Sequence, residues 1–360
     1  MRGRGWRVLA AALSGLMAVS LAGCGADGGD AEDGLTVGLL LPSRALPRWE
    51  QSDKPLIEKR VKELCAECTV VYANAENDAS SQRQQMNSLI TRGAAAIILD
   101  AVDPRALRSS VRAAHSAGIP VVAYDRLAEG PISGFVSFDG GEVGRLQGEA
   151  LLKAMGDKAD GGRIVMMNGD PASPNADWFE RGALSVLRGK VRVVKAYDTL
   201  GWRTENAHSN MSAAISALGP RRIDGVLAAN DAIAAGVISA LKSAGVSPLP
   251  PVTGQDADLD AVRRIVRGEQ YMTVYKPFRQ ETDAASALAV ALARGNDVGA
   301  VVTTTVDSPT TDDVPAVLLS PVAVTLGTIG QTLVKDGVYT IDQICVPKLR
   351  PACERAGLTR

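Results

Sequence analysis

From residue 35 onward, short apolar runs alternate with amphipathic stretches, and this alternation limits the possible folds more than any other feature of the sequence. The first run, 35–41 (LTVGLLL), is almost wholly apolar, as expected of a parallel strand buried on both faces. A helical pattern over 48–64 follows it. Next come strands at 69–72, 95–99 and 120–124, separated by helices at 80–91 and 104–117. Asp103-Pro104 supplies a capping side chain and a first-turn proline, and Gly118 closes the same helix. A second series starts near Gly140. It places strands at 162–167, 191–196, 225–228, 252–254 and 271–275 among helices at 142–155, 175–187, 204–218, 232–243 and 259–267, with a last long helix at 277–294. The expected fold is α/β: two similar doubly wound parallel-sheet lobes joined by a three-crossing hinge. The first lobe is expected to take 35–138 plus 277–306 and the second 139–276 plus 307–340, leaving 341–360 as a tail.

The N-terminus reads as a targeting segment. Arg2, Arg4 and Arg7 precede an uncharged run that is short for a membrane span. The run ends Leu21-Ala22-Gly23-Cys24, which resembles a bacterial lipobox. Residues 1–23 are therefore expected to be a lipoprotein signal peptide, Cys24 the lipidated residue, and 24–34 a flexible tether. A permanent N-terminal anchor and a plain secretory signal are the alternatives. The expected location is extracytoplasmic, anchored to the cell membrane by lipid chains rather than by a basic patch.

Cysteine usage agrees with an oxidising compartment. Cys65 and Cys68 lie between a helical pattern and a strand, the reverse of the usual redox order, and Cys345 and Cys353 lie in a Pro-containing tail without zinc-ribbon spacing. Two local disulfides are expected, Cys65–Cys68 and Cys345–Cys353, with a four-thiolate metal site as the lesser alternative. No metal or cofactor is expected.

Charge excludes one class of partner. Lys+Arg total 39 against 40 Asp+Glu, so no basic surplus exists to neutralise nucleic-acid phosphates. Two histidines leave little for His-based metal or triad chemistry. Four tryptophans in the chain make the position of each informative.

Polar residues gather where strands end, which is where open α/β sheets bind ligands. Arg48-Trp49 follows the first strand and Asp125-Arg126 the fourth. In the second series the strand ends carry Asn168 through Asn175, Gly201-Trp202, Asn230-Asp231, Gln255-Asp256-Ala257-Asp258 and Lys276-Pro277. Planar Asp, Asn, Gln and Arg groups suit hydroxyls, which both donate and accept, and an indole suits the C–H face of a sugar ring. No glycine fingerprint for phosphate follows the first strand. An amino-acid ligand is not excluded by these residue types. In isolation, Asn230-Asp231 also reads as an ordinary helix cap, Asp258 as a cap, and Trp178, His115 and His208 as packing or surface residues.

Taken together, several motifs resemble the D-xylose-binding branch of the type I periplasmic sugar-binding family, which serves ABC importers. They are Arg48-Trp49, Ala123-Tyr124-Asp125-Arg126, Val136-Ser137-Phe138-Asp139, Gly201-Trp202, Asn230-Asp231, Gly254-Gln255-Asp256-Ala257-Asp258-Leu259 and Met272-Thr273-Val274-Tyr275-Lys276-Pro277. The resemblance spans about residues 35–339; beyond it the chain departs into a tail of its own. It implies the periplasmic binding protein type I fold and a ligand pocket of Arg48, Trp49, Asp125, Arg126, Asn175, Trp202, Asn230, Asp256 and Lys276. In that pocket Trp49 and Trp202 are expected to sandwich the ring. Arg48, Arg126 and Lys276 would donate, Asp125 and Asp256 accept, and Asn175 and Asn230 do both. Ser173 departs from the family's usual carboxylate, which leaves another pentose or hexose open.

The resemblance implies a monomeric, non-enzymatic lipoprotein that binds a monosaccharide, D-xylose first, and hands it to an ABC permease and its ATPase. A receptor that feeds a membrane sensor is the alternative. A transcription regulator would need a DNA-binding helix-turn-helix where the lipobox stands. A glycosidase would need two carboxylates, for which Asp125 and Asp256 are the formal candidates.

Overall fold

The structure, a computed structural model, describes residues 34–359; the expected signal peptide, Cys24 and all but the last residue of the expected tether lie outside the described residues. The chain opens with β1 (Thr36–Leu41), α1 (Lys54–Leu64), β2 (Thr69–Asn74), α2 (Ala79–Thr91), β3 (Ala96–Leu99), α3 (Pro104–Ser116), β4 (Val121–Tyr124) and β5 (Gly134–Phe138). Then come α4 (Gly140–Met155), β6 (Arg163–Met167), α5 (Pro174–Leu187), β7 (Arg192–Tyr197), α6 (Thr204–Leu218), β8 (Gly225–Ala228), α7 (Asp231–Ser243), α8 (Leu259–Val266) and β9 (Met272–Tyr275). The remainder is α9 (Phe278–Ala293), β10 (Thr304–Ser308), β11 (Thr311–Leu319), β12 (Val322–Thr325), α10 (Ile341–Ile344) and α11 (Arg350–Arg355).

The first lobe is built on a sheet of order β10-β11-β5-β4-β3-β1-β2, parallel except for the antiparallel β10–β11 hairpin. Its central strands are apolar on both faces because helices cover both: Leu39, Leu40, Ile97, Ile98 and Val122 are fully buried. The second lobe has a parallel β7-β6-β8 sheet. Residues 252–254 extend it through a single bridge, Val226 to Val252, and backbone bonds from Tyr271 N to Val252 O (2.9 Å) and from Val274 N to Gly254 O (3.2 Å) carry it on to β9. β12 closes that edge antiparallel to β9.

Local chemistry sets the element starts. Asp103 accepts from Arg105 N and Ala106 N at 2.9 and 3.1 Å, and Asp139 caps α4 through Glu142 N at 3.0 Å. The Asp139 cap lies at the first crossing between sheets, and the second crossing runs through Lys276-Pro277.

The third crossing corrects the sequence-based boundary at 306/307. Residues 307–319 stay with the first lobe, because β11 pairs parallel with β5 from Ala316↔Phe135 to Leu319↔Phe138. Val314 and Ala316 are buried in the same cluster as Ile97, Leu99 and Phe135. The chain crosses at residues 320–321, and the second lobe takes up only β12 and the residues beyond it.

The tail packs on the second lobe. Ile344, Cys345, Leu349, Cys353 and Leu358 form one apolar cluster with Val262, Ile265 and Val266 of α8, Tyr275 of β9 and Val324 of β12. The Cα atoms of Cys65 and Cys68 are 5.2 Å apart and those of Cys345 and Cys353 are 6.0 Å apart, both within disulfide distance. Trp178 of α5 packs edge-on against Phe135 of β5, ring centroids 6.1 Å apart. Among the described residues no helix is long and apolar enough to cross a membrane.

Candidate functional site

The loops leaving the carboxyl ends of strands converge between the two sheets. Arg48 and Trp49 follow β1, and Asp125 and Arg126 follow β4. Asn175 opens α5 after β6, and Trp202 follows β7. Asn230 follows β8, Asp256 follows residues 252–254, and Lys276 follows β9. All nine line one cavity between the two sheets, together with Leu46, Ser173, Phe179 and Gln255.

Charge in the cavity wall is organised by Arg48. Its guanidinium donates to Asp53 (2.7 and 3.2 Å), to Asp125 Oδ2 (2.8 Å) and to Glu281 Oε2 (2.8 Å). The guanidinium carbon also lies 4.0 Å from the Trp49 ring centroid and 4.2 Å from that of Phe278. These contacts use four of the five N–H groups that an arginine offers. Arg48 is thus mainly a structural cation that aims its carboxylate partners, where the sequence suggests a ligand donor. The Tyr124 hydroxyl donates to Asp53 as well.

Asp125 is the carboxylate at which the two lobes meet. Asn175 Nδ2 donates to its Oδ1 at 2.8 Å and to its backbone carbonyl at 3.3 Å. Lys276 Nζ lies 2.8 Å from Asp256 Oδ1 and 3.8 Å from Asp125 Oδ2. Burial pushes the Asp125 carboxyl up, but Arg48, Lys276 and Arg126 outweigh it and hold the group below the usual carboxylate range. Burial wins at two neighbours, pushing Glu281 and Asp100 well above their ordinary values despite Arg48 beside the first and Arg126 beside the second.

Two further roles differ from expectation. Arg126 donates to Ala101 O at 3.1 Å and pairs with Asp100 at 3.3 Å, so much of its donor capacity is also spent within the first lobe. Asn230 both caps α7 and lines the cavity. Its Oδ1 accepts from Ile233 N at 2.9 Å, which leaves the amide N–H₂ as the group free to serve a ligand. Asp258 holds the cap position of α8 but makes no side-chain cap bond.

The two indoles are each fitted on one side. Arg48 covers one face of Trp49. Trp202 meets Phe179 edge-on, centroids 6.3 Å apart, and its six-membered ring presses on Gly169, where an added Cβ would lie about 2.0 Å from the ring. Three cavity residues have left-handed backbone without being glycine: Asp125 (φ 57°), Trp202 (φ 58°) and Asp256 (φ 95°). Such conformations persist only where the surrounding structure enforces them, and they cluster at functional sites.

Apart from Asp256 Oδ1, which is ion-paired to Lys276, five lining residues carry buried polar atoms with no hydrogen-bond partner in the protein: Trp49 Nε1, Trp202 Nε1, Ser173 Oγ, Asn175 Oδ1 and Gln255 Oε1. They are neutral and mix donors with acceptors, as a hydroxyl-bearing ligand requires. Asp125, held ionised, cannot act as a general acid, and Asp256 is ion-paired to Lys276. The carboxylate pair is therefore not arranged for glycoside cleavage.

Asp53 and Glu281 were not singled out from the sequence, and Gln255 was noted at a strand end but left out of the expected pocket. Glu281 left a readable signal, because it shares a helix stripe with buried Ala285 and Leu288, where a lone carboxylate needs a buried cation. Asp53 left none beyond its spacing from Arg48.

Residues 37–297 match the profile of the periplasmic binding protein domain. The chain is 36% identical over 309 residues to the D-xylose-binding periplasmic protein of Escherichia coli, covering 84% of this chain and 90% of that protein. It is 32% identical over 335 residues to the multiple sugar-binding periplasmic receptor ChvE of Rhizobium radiobacter, covering 87% and 93%. An ABC transporter solute-binding protein from Clostridium phytofermentans, solved with bound β-D-glucose, superposes with a TM-score of 0.79 at 30% identity, covering 86% of this chain and 99% of that one. These relatives are solute-binding proteins, not enzymes.

Proposed function

The chain belongs to the periplasmic binding protein domain family, a family of sugar-binding proteins, and from that premise we propose that it captures a free monosaccharide between its two lobes and delivers it to the permease of an ATP-driven importer. D-xylose is the first candidate. The observation that carries the reading is the set of unpartnered neutral donors and acceptors lining the cavity between the lobes. A phosphorylated or carboxylated ligand would need a free cation, and Arg48, Arg126 and Lys276 all have carboxylate partners.

In this reading Trp49 and Trp202 offer ring faces, and the remaining N–H groups of Arg48, Arg126, Asn230 and Lys276 donate. Asp125, Asp256 and Asn175 accept. The ligand touches both lobes, so it favours the closed form by that differential contact. Lipid attachment at Cys24 would keep the monomeric receptor at the membrane. The Cys65–Cys68 and Cys345–Cys353 disulfides suit an oxidising, extracytoplasmic setting.

A second sugar, pentose or hexose, is the alternative that Ser173 favours. Its neutral hydroxyl stands where a carboxylate is usual, and relatives bind sugars other than xylose. Calorimetric titration with D-xylose, D-glucose, D-ribose, L-arabinose and D-galactose tests both readings. Micromolar or tighter binding of D-xylose alone supports the first, and a tighter hexose supports the second. No heat with any of the five sinks the proposal. A role in sensing instead of import would show as sugar-dependent binding to a membrane sensor with no effect of gene loss on uptake.

A further inference from the structure

The loop that carries Asp256 is held in an unfavourable shape. Asp256 (φ 95°) and Ala257 (φ 54°) are consecutive non-glycine residues in the left-handed region. Gly254 just before them has no alternative either, since a Cβ there would lie 2.1 Å from Asp231 Oδ1 and 2.3 Å from Gln270 Nε2.

Four hydrogen bonds hold the loop. Asp256 N donates to Val274 O at 2.9 Å. Ala257 N donates to Thr273 Oγ1 at 3.1 Å, and Asp258 N donates to Asp231 Oδ2 at 3.0 Å. The fourth comes from outside the sheet: the Tyr339 hydroxyl donates to Ala257 O at 3.1 Å. Asp231 is itself fixed, accepting from Gln270 Nε2 at 2.7 Å and Thr273 Oγ1 at 2.9 Å. Tyr339 is fixed by the tail. The next residue, Thr340, opens a capping box with Gln343, Arg263 of α8 donates to Gln343 O at 2.7 and 3.1 Å, and the Cys345–Cys353 segment packs on the apolar side of α8.

We propose that Tyr339 is a positioning residue for ligand binding: by holding the Ala257 carbonyl it keeps the Asp256–Ala257 peptide left-handed and so aims the Asp256 carboxylate at Lys276 and the ligand. The tail thereby contributes to affinity although Tyr339 does not line the cavity. The inference rests on the monosaccharide reading, and it adds a residue that no sugar touches.

The test compares the full mature chain with Tyr339→Phe, Ala257→Gly and the double variant. Glycine takes up the left-handed conformation without strain, so it relieves the loop of its need for the clamp. Titration with D-xylose and D-glucose should give Tyr339→Phe about five- to tenfold weaker binding, the scale of one net hydrogen bond. The double variant should recover to within about twofold. Amide exchange at residues 256–258 should accelerate in Tyr339→Phe, with global unfolding little changed. Unaltered affinity in Tyr339→Phe, or a loss that Ala257→Gly does not restore, overturns the inference. If the wild type binds neither sugar, the monosaccharide reading is at fault. The exchange experiment then judges the clamp alone, and unchanged exchange at 256–258 overturns it.

Discussion

Asn175, at the start of α5 in the second lobe, donates one amide group to both the carboxylate and the backbone carbonyl of Asp125 in the first lobe, at 2.8 and 3.3 Å. In the proposed open-and-close cycle, parting the lobes would break this bond and release Asp125 from one of its polar partners.

Asn175→Ala should therefore bind sugar about tenfold more weakly, the loss of one hydrogen bond to a charged group. Asn175→Asp should bind more weakly still, because it sets a second carboxylate against Asp125. Calorimetry on the two variants gives the order, and equal affinities for both would remove the charge argument.

Arg48 is the shared partner of three buried acidic groups, Asp53, Asp125 and Glu281. Arg48→Met strands them and should destabilise the protein by about 3–5 kcal/mol in denaturant unfolding. Arg48→Lys should recover little, since an ammonium cannot span the same fork. A loss below about 1 kcal/mol for the Met variant would show that the carboxylates take up protons at little cost instead.

Gly169 gives Trp202 its seat. Gly169→Ala places a methyl group about 2.0 Å from the indole ring and must push it away. Folding should suffer by about 1–3 kcal/mol. Sugar affinity should fall, and the tryptophan emission should shift because Trp202 moves. An unshifted spectrum with full affinity would mean that Trp202 does not need this seat.

Burial, with Asp256 next, pushes the Asp258 carboxyl up to about 7 from an ordinary 3.8, while Arg264 and Arg48 pull the other way. Between those values the native state keeps a proton that the unfolded chain has lost. This group therefore makes the protein less stable as pH rises from about 4 to 7, and contributes no further change above that. Asp258→Asn keeps a neutral side chain. It should melt higher than the wild type at pH 8 and no higher at pH 4. A pH-independent difference would contradict the shift.

The strand pattern and the polar strand ends were legible because both are local, whereas the choice of nine residues among them came from the family resemblance. A both-faces-buried strand must be apolar throughout, as Leu39 to Leu41 are, and a residue after a parallel strand must lie at the sheet's carboxyl edge. The partner of β11 was not legible. Thr311–Leu319 reads as a strand wherever it goes, and only the open edge of β5 decides that it joins the first sheet. Glu281 showed its burial in its helix stripe, but its partner was hidden, because Arg48 lies 233 residues earlier in the chain.

Local sequence thus specified the two-lobe α/β plan and the polar strand ends around the cleft. Propensity, capping and strand-end position depend on near neighbours alone. The role of each of those residues came from long-range packing. Packing turned Arg48 and Arg126 largely inward onto carboxylates, used half of Asn230 as a cap and bound Asn175 to Asp125 across the cleft. Donors and acceptors are spent on whichever partner the fold brings within about 3 Å, and that choice is made by contacts between residues far apart in the chain.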